Sequence, residues 1–438
     1  MILPIIRRFF KNLANLKLAI LILLAIAIVT SIGSIIEQSR DIQFYQNTYT
    51  YSLFGMESWR IILLLGLNSI YSTWWFFFLL FIFGLSLSCC TILQQLPTLK
   101  FSRRYYFYKQ KSQFSKLSVK IKRIKVFRTH LSYALIRKQY SLFQQYNTIY
   151  AYKGLISRIG PIVVHFSIIC ILLGSTLGAL TGFNSQELIP ETEIFHTQNI
   201  IKTGLFSSVP QKTFRINDFW AIYNINNQIK QFYSDISVLN GKGSEFRRKT
   251  ISVNNPLLIN ELIIYQTDWG ILGIRLNLIR NDFSNTVIQL PILKLNNFSS
   301  QKLWMSSLTS RKENVILLIK NNRGQIALYE KEGKFIKNIN LGENLNIIDL
   351  DLRNINLIDI ISSTGIQIKS DPGVKLLYIG FLFLIISSLI SYISFSELWL
   401  LEFTNQVMFG GKTNRAQVKF KVEFLRFQQS FIKNNFYK

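Results

Sequence analysis

Long apolar runs alternate with polar and basic stretches along this chain of 438 residues. Four of the runs approach or exceed the roughly 20 apolar or small residues that a helix needs to cross a bilayer. The first follows a basic N-terminus but is too long for a signal peptide and lacks a small-residue cleavage site, so we expect it to be retained. The predicted membrane segments are an N-terminal hairpin at 1–97 with spans at about 18–36 and 74–92, a third span at 159–181, and a fourth at 371–396.

Between the third and fourth runs lies a polar segment, residues 182–370, with a different pattern. Apolar and polar residues alternate within it, as expected of strands with one buried face. Residues 315–319 and 325–329 flank an Asn-Asn-Arg-Gly sequence and predict a hairpin. The alternating apolar positions are Ile274, Leu276, Leu278, Ile366 and Ile368. The fold class is therefore four transmembrane α-helices with a large β-rich domain, a sandwich or open barrel, between the third and fourth.

Charge gives these segments an orientation. Residues 91–158 carry fifteen Lys or Arg and no acid, and the chain after Glu402 carries seven basic residues and one acid. The positive-inside rule then predicts a basic stromal loop at 98–158 and a basic stromal tail at 397–438. Residues 182–370 hold twenty-one basic and sixteen acidic side chains, so we expect that domain on the opposite, lumenal side. The net charge of +27 follows from membrane orientation, and we expect no nucleic-acid binding.

One ionisable side chain, His165, lies inside the third apolar run. Pro161 suits the first turn of a helix, which would put His165 about 7 Å inside its beginning. An ionisable side chain at that depth in a membrane costs free energy, so its presence indicates a function. Two interpretations stay open: a structural histidine bonded to Ser167 or to a neighbouring helix, or a metal ligand, above all to haem iron.

The remaining candidate residues carry less chemistry. The chain has three histidines and three cysteines, with no Cys-x-x-Cys or His-x-x-x-His spacing. We expect His130 and His196 to be solvated, and we expect the three cysteines to act as small buried apolar residues: Cys89, Cys90 and Cys170. The sequence contains neither a phosphate-binding loop nor a recognisable catalytic arrangement, so we expect no catalysis by this chain alone.

Several short stretches, taken in order along the chain, form a more specific pattern. They are Gly33-Ser34-Ile35-Ile36-Glu37-Gln38, Tyr71-Ser72-Thr73-Trp74-Trp75-Phe76, Cys90-Thr91, Gly160-Pro161-Ile162-Val163-Val164-His165, Arg248-Lys249-Thr250 and Tyr265-Gln266-Thr267-Asp268-Trp269-Gly270. Together they resemble the ResB/CcsB family of System II cytochrome c biogenesis proteins, in its plastid (algal) form. Two positions depart from the family pattern: Asn68 replaces an expected acid and Gln94 an expected arginine.

The resemblance implies a function. Such proteins work with a second membrane subunit, CcsA, in a complex that delivers haem b across the thylakoid membrane and attaches it to reduced apocytochromes c, including apocytochrome f and soluble c-type cytochromes. It implies a multi-pass thylakoid protein of the plastid with stromal termini and a lumenal domain. The family's intramembrane histidine matches His165, which would be an axial ligand of the transported haem.

Two other functions compete with this interpretation. The chain could be a membrane-anchored scaffold or apocytochrome chaperone with no haem ligand of its own. A transporter is disfavoured because four spans without intramembrane carboxylate pairs or repeats offer little of a substrate path.

Overall fold

The structure is a computed structural model that describes residues 2–53, 56–124, 128–224, 229–280, 285–295, 303–309, 314–319, 325–342, 344–347, 352–403 and 406–433. It divides into two compact units. The first, here called the membrane unit, comprises Met1–Ala179 and Gly373–Lys438. The second, here called the β-domain, comprises Leu180–Pro372. Each is described by itself.

Ten α-helices occur in the described residues. They are α1 Ile2–Leu13, α2 Leu16–Ile35, α3 Ile42–Thr48, α4 Ser58–Leu64, α5 Trp74–Cys90, α6 Leu96–Ser102, α7 Arg128–Arg137, α8 Gly160–Thr181, α9 Val374–Tyr392 and α10 Gln417–Lys433. Shorter helical turns lie at Leu67–Ser72, Lys111–Lys116 and Leu155–Arg158, and a π-helical turn, Thr91–Gln95, joins α5 to α6.

Four helical stretches are long and apolar enough to cross a membrane, by length and composition. They are Leu16–Ile35, Trp74–Ser102, Leu155–Thr181 and Val374–Tyr392. Their apolar side chains cover the whole helix circumference rather than one stripe, which is typical of helices surrounded by lipid or other helices. The expectation of four apolar helices and a β-rich domain is confirmed at this level.

Strands occur in both units. They are β1 Ser52–Leu53, β2 Met56–Glu57, β3 Val119–Ile124, β4 Ser141–Gln145, β5 Thr148–Lys153, β6 Phe183–Pro190, β7 Ile194–His196, β8 Ile200–Thr203, β9 Thr213–Tyr223, β10 Ile229–Leu239, β11 Glu245–Ser252, β12 Leu257–Ile259, β13 Leu262–Arg280, β14 Asn285–Pro291, β15 Leu293–Leu295, β16 Leu303–Thr309, β17 Asn314–Ile319, β18 Gln325–Glu330, β19 Phe335–Asn340, β20 Asn344–Ile347, β21 Leu352–Ser370, β22 Ser396–Phe403 and β23 Gln406–Thr413.

The segments expected to be a basic loop and a basic tail form a folded domain together. Their strands make one antiparallel sheet in the order β3-β23-β22-β5-β4. Helices α7 and α10 cover one face through Leu131, Leu135, Phe420 and Phe424. The other face is covered by a cluster that includes Phe114, Leu117, Tyr150 and Trp399. We call this the basic domain. Describing residues 98–158 as a loop and 397–438 as a tail was therefore incomplete, because a charge pattern carries no information about strands and helices.

The β-domain is built on two 19-residue antiparallel strands, β13 and β21. One half of this pair packs against the sheet β11-β10-β9-β7 around Ile236, Ile264 and Ile366. The other half packs against the meander β15-β16-β17-β18-β19 around Ile274, Leu276 and Trp304. Layers of sheet enclose both cores, as in a sandwich.

The alternation seen in the sequence corresponds to burial in this domain. Ile274, Leu276, Leu278, Ile366 and Ile368 are all buried. Strands β17 and β18 pair antiparallel, as the predicted hairpin requires, although the turn that joins them lies outside the described residues.

Candidate functional site

His165 lies in the second turn of α8 and contacts a residue on another helix. Its Nδ1 is 2.9 Å from the Oγ1 of Thr91. Thr91 is the first residue of the π-helical turn that follows α5. π-Helical turns are rare in proteins, but those that occur are often found at functional sites. They displace side chains from the regular helical positions. The contact joins residues 74 positions apart in the chain.

The Thr91 hydroxyl also bonds within its own helix. Its Oγ1 is 2.8 Å from the carbonyl oxygen of Leu87, one turn earlier, and donates to it. This is a common arrangement for threonine in a helix, because the side chain reaches the carbonyl four residues back. The hydroxyl thus lies between a backbone acceptor on one side and an imidazole nitrogen on the other.

The remaining nitrogen of the ring, Nε2, is left open. Within the described part of the chain, no group hydrogen-bonds to it. As a residue, His165 is half-buried within this chain. Below it, Ile168, Ile169 and Leu172 pack against apolar residues of α2 and α5. A neutral imidazole with one bonded and one open nitrogen can act as a single metal ligand.

Ser167 does not bond to His165, although the sequence made it a candidate. It is fully buried and its hydroxyl donates to the carbonyl of Val163 in its own helix. Ser167 lies on the side of α8 that faces α9, where its carbonyl oxygen would be 3.1 Å from a Cβ placed at Gly380. The structural interpretation therefore accounts for Nδ1, which bonds to Thr91 on the neighbouring helical segment. It assigns no role to Nε2.

The cysteines and the other histidines do not extend this site. Cys89, Cys90 and Cys170 are free and buried. Among the described residues, no group of three or more His, Cys, Asp or Glu side chains is placed to hold a metal ion. His130 belongs to α7 of the basic domain, and its side chain lies outside the described residues. His196 is exposed on β7 of the β-domain, where its Nε2 is 3.2 Å from the Nε2 of Gln198.

Gln94, which departs from the family pattern, has a structural role. Its Nε2 donates to the carbonyl of Ala14 at 2.6 Å, at the corner between α1 and α2. The Ser86 hydroxyl donates to the neighbouring carbonyl of Leu13 at 2.7 Å. These two bonds satisfy carbonyls that the end of a helix leaves without partners. They hold the N-terminal corner against α5 and the π-helical turn that carries Thr91.

Gln38 connects two segments of the chain near the C-terminal end of α2. Its Nε2 donates to the carbonyls of Ile36 and Leu67, at 2.8 and 2.9 Å. Its Oε1 accepts the backbone N–H of Ile70 at 3.0 Å. The Gly-Ser-Ile-Ile-Glu-Gln stretch noted in the sequence is thus explained by packing and backbone pairing.

Comparison with known proteins now identifies the family. A model of the ResB-like family matches residues 16–335 and 286–425. The chain belongs to this family. The cytochrome c biogenesis protein Ccs1 of Thalassiosira pseudonana is 45% identical over 425 residues, covering 96% of this chain and 99% of its own. Ccs1 of Pyropia yezoensis is 43% identical, covering 94% of this chain and 93% of its own. The cytochrome c biogenesis protein CcsB of Thermosynechococcus vestitus is 41% identical, covering 96% and 95%.

The sequence singled out His165, but its partner Thr91 was not proposed as a site residue. Thr91 appeared only as part of the Cys90-Thr91 stretch of the family pattern. A threonine at the end of an apolar run carries no signal of its own, and its contact with His165 depends on how α5 and α8 pack. The available clue was the short polar sequence that interrupts the second apolar run after Cys90.

Proposed function

We propose that this ResB-like protein acts in cytochrome c biogenesis and holds haem b, in transit across the thylakoid membrane, through Nε2 of His165. The haem is cargo, and its recipients are reduced apocytochromes c in the lumen, apocytochrome f and soluble c-type cytochromes among them. The observation that carries the proposal is an imidazole on an apolar helix with Nδ1 bonded to Thr91 and Nε2 open. The names of the relatives support the assignment to cytochrome c biogenesis.

The chemistry of the site suits a transient carrier. Haem supplies an iron with two axial positions, and a neutral imidazole nitrogen is a common protein ligand for it. His165 is the one imidazole in the four apolar helices, so this chain offers a single ligand. The second ligand would come from a partner, which we assign to CcsA on the basis of the family resemblance. A cofactor shared between two subunits can be released when their contact changes.

The distribution of charge and cysteine supports the proposed orientation. The basic domain, on the stromal side, would face the compartment from which haem enters, and the β-domain would face the lumen. The β-domain contains no cysteine, since the three cysteines are Cys89, Cys90 and Cys170. It therefore cannot form mixed disulfides with the thiols of an apocytochrome. That property suits a surface that receives a client whose cysteines must stay reduced.

Replacing His165 tests the proposal. The chain is co-purified with CcsA, and the haem content is measured from its absorbance. His165→Ala should lose nearly all of the bound haem and of the cytochrome c assembled in cells, while the protein still accumulates. His130→Ala and His196→Ala are the matched controls and should retain both. Added imidazole should restore part of the haem binding to His165→Ala by occupying the space that the truncated side chain leaves.

The competing function is a scaffold or apocytochrome chaperone with a purely structural His165. The bond between Nδ1 and Thr91 is compatible with it. Normal haem content and an unchanged spectrum in His165→Ala, with cytochrome c assembly retained, would favour the scaffold and remove the ligand assignment.

A further inference from the structure

We infer that Thr91 is a positioning residue: it holds His165 in the tautomer protonated at Nδ1 and so keeps the Nε2 lone pair free to bind a ligand. The inference rests on the proposed function only in its last step, the use of that lone pair by haem. Its first step concerns the protein alone. It starts from the two contacts of the Thr91 hydroxyl, 2.8 Å to the Leu87 carbonyl and 2.9 Å to His165 Nδ1.

Counting protons distinguishes the two possible tautomers. A threonine hydroxyl has one hydrogen to donate and lone pairs to accept with. If it donates to Leu87, its oxygen accepts from Nδ1–H, and two hydrogen bonds form. If the ring is instead protonated at Nε2, the hydroxyl must turn from Leu87 to donate to Nδ1. One hydrogen bond then forms, and the Nε2–H donor remains without a partner among the described residues.

The apolar surroundings increase the difference between these arrangements. Water is scarce beside the apolar helices, so a polar N–H left unpaired there keeps its full desolvation cost. Either tautomer leaves Nε2 without a partner among the described residues, so the additional hydrogen bond of the Nδ1-protonated form decides between them. The arrangement with Nδ1 protonated is therefore favoured, and it leaves Nε2 with a free lone pair, which is the group that a metal uses.

The position of Thr91 is itself fixed by the fold. Its backbone N–H bonds to the carbonyls of Leu87 and Ser88, at the transition from α5 to the π-helical turn. Its branched Cβ restricts the side-chain rotamers within a helix. A hydrogen-bond partner on the second nitrogen of a metal-binding histidine fixes both its tautomer and its ring orientation. Thr91 can do both without touching the haem.

The first experiment observes the tautomer directly in haem-free protein. Since the chain has three histidines, the double variant His130→Asn/His196→Asn leaves His165 as the only one. Isotope-labelled histidine and solid-state NMR nitrogen shifts then report which ring nitrogen carries the proton. We expect Nδ1 to be protonated in this background and in Thr91→Ser, which keeps the hydroxyl. In Thr91→Val, which is nearly isosteric and lacks the hydroxyl, we expect the Nδ1-protonated form to lose its predominance.

The second experiment measures haem binding of the same variants with CcsA. Loss of an outer hydrogen-bond partner typically weakens metal binding about 10–100-fold. We expect a loss of that size in Thr91→Val and recovery in Thr91→Ser. Thr98→Val is the matched control, because the Thr98 hydroxyl also donates to a carbonyl four residues earlier, that of Gln94 at 2.7 Å. It should change neither the NMR shifts nor haem affinity.

The outcomes separate the two proposals. An unchanged tautomer in Thr91→Val overturns the positioning role of Thr91, whatever haem does. A changed tautomer with unchanged haem affinity overturns the step from tautomer to ligand presentation. Retention of haem by His165→Ala overturns the proposed function but leaves the NMR result for Thr91 standing. A changed tautomer together with weaker haem binding, both restored by serine, supports the whole inference.

Discussion

At the scale of single residues, Glu191 is a carboxylate in an unfavourable position. It lines a groove of about 570 Å³ in the β-domain, together with Trp220 and Asp359. Burial raises the pKa of Glu191 above its ordinary value near 4.5, the negative charges of Asp218 and Asp359 raise it further, and a hydrogen bond from Ser362 opposes them. The folded state therefore holds the proton more tightly than the unfolded state does. The free energy of unfolding therefore falls as the pH rises from about 4.5 through the pKa of Glu191 in the folded state. Above that pKa the full destabilisation by the buried carboxylate remains.

Glu191→Gln should remove that cost and keep an acceptor for Ser362. We expect the variant to be more stable than the parent at pH 7, with the advantage disappearing below about pH 4.5. Hydrogen exchange of peptides from β6 and β21, measured on both proteins side by side at each pH, would show it. Glu193→Gln, on the exposed turn that follows, is the control. An advantage that persists at low pH would mean that Glu191 acts through packing rather than charge.

His165 and Thr91 show what the sequence could predict about single residues. An ionisable side chain inside an apolar run is a local signal, so His165 stood out. Ser167 seemed a suitable partner because it is close in sequence, but its hydroxyl bonds to the carbonyl of Val163. Which side chain meets the imidazole depends on the packing of α5 against α8, and no pattern within either helix records it. For the same reason, the role of Gln94 at the N-terminal corner was not foreseen.

At the scale of elements, α8 and α9 pack closely through small residues. A Cβ at Gly174 would lie 2.8 Å from the backbone nitrogen of Leu377, and one at Gly380 would lie 3.0 Å from the nitrogen of Ile171. Ser167 and Ser387, also at small-residue positions of these helices, are buried. In membranes, small residues stabilise helix pairs by letting the backbones approach. This contact fixes α8, the helix that carries His165, from the side opposite to Thr91.

Gly380→Ala should therefore push α9 away from α8. Its added methyl meets backbone atoms, which cannot rotate aside, and overpacking of this kind typically costs about 1–3 kcal/mol. Gly84→Ala is the control within another apolar helix, since its Cβ would meet only Leu172 Cδ1, at 3.9 Å. We expect the control to be neutral or slightly stabilising through helix propensity. Denaturant unfolding of the detergent-purified variants would measure both. Equal stability of the two variants would contradict the close contact.

The elements differ in how far the sequence could predict them. A run of about twenty apolar residues, or a strand with one buried face, is a local pattern, so the four helices and the β-rich region were predictable. The sheet of the basic domain was not. Its central strand β22 has both faces covered, with Leu398 and Leu400 in one cluster and Trp399 and Leu401 in the other. Such a strand shows no alternation. It also pairs with β5, some 250 residues earlier in the chain, which no local pattern can reveal.

At the scale of the whole molecule, charge differs sharply between segments. Residues 91–158 hold fifteen basic and no acidic side chains, whereas the β-domain segment 182–370 holds twenty-one and sixteen. Basic residues near the ends of membrane helices are retained on the cytoplasmic side, or on its stromal equivalent. In the proposed topology, in which all four apolar helices cross the membrane, the C-terminus lies on the same side as the N-terminus. The basic domain combines residues from before α8 and after α9, as that arrangement requires.

Site-specific labelling tests this orientation. Replacing the free and buried Cys89, Cys90 and Cys170 with alanine or serine should leave cytochrome c assembly largely intact, since none of them faces the client compartment in this arrangement. In that background, Ser112→Cys would report on the basic domain and Ser244→Cys on the turn between β10 and β11, where both serines are exposed.

Sealed vesicles with the stromal face outward distinguish the two sides. A membrane-impermeant maleimide should label the Ser112→Cys chain at once and the Ser244→Cys chain only after detergent is added. The cysteine-free parent, which should remain unlabelled throughout, is the control for the reagent. Labelling of both variants in sealed vesicles would place the two domains on one side and contradict the four crossings. The reverse order would keep the crossings but invert the membrane, and haem would then have to approach His165 from the side of the β-domain.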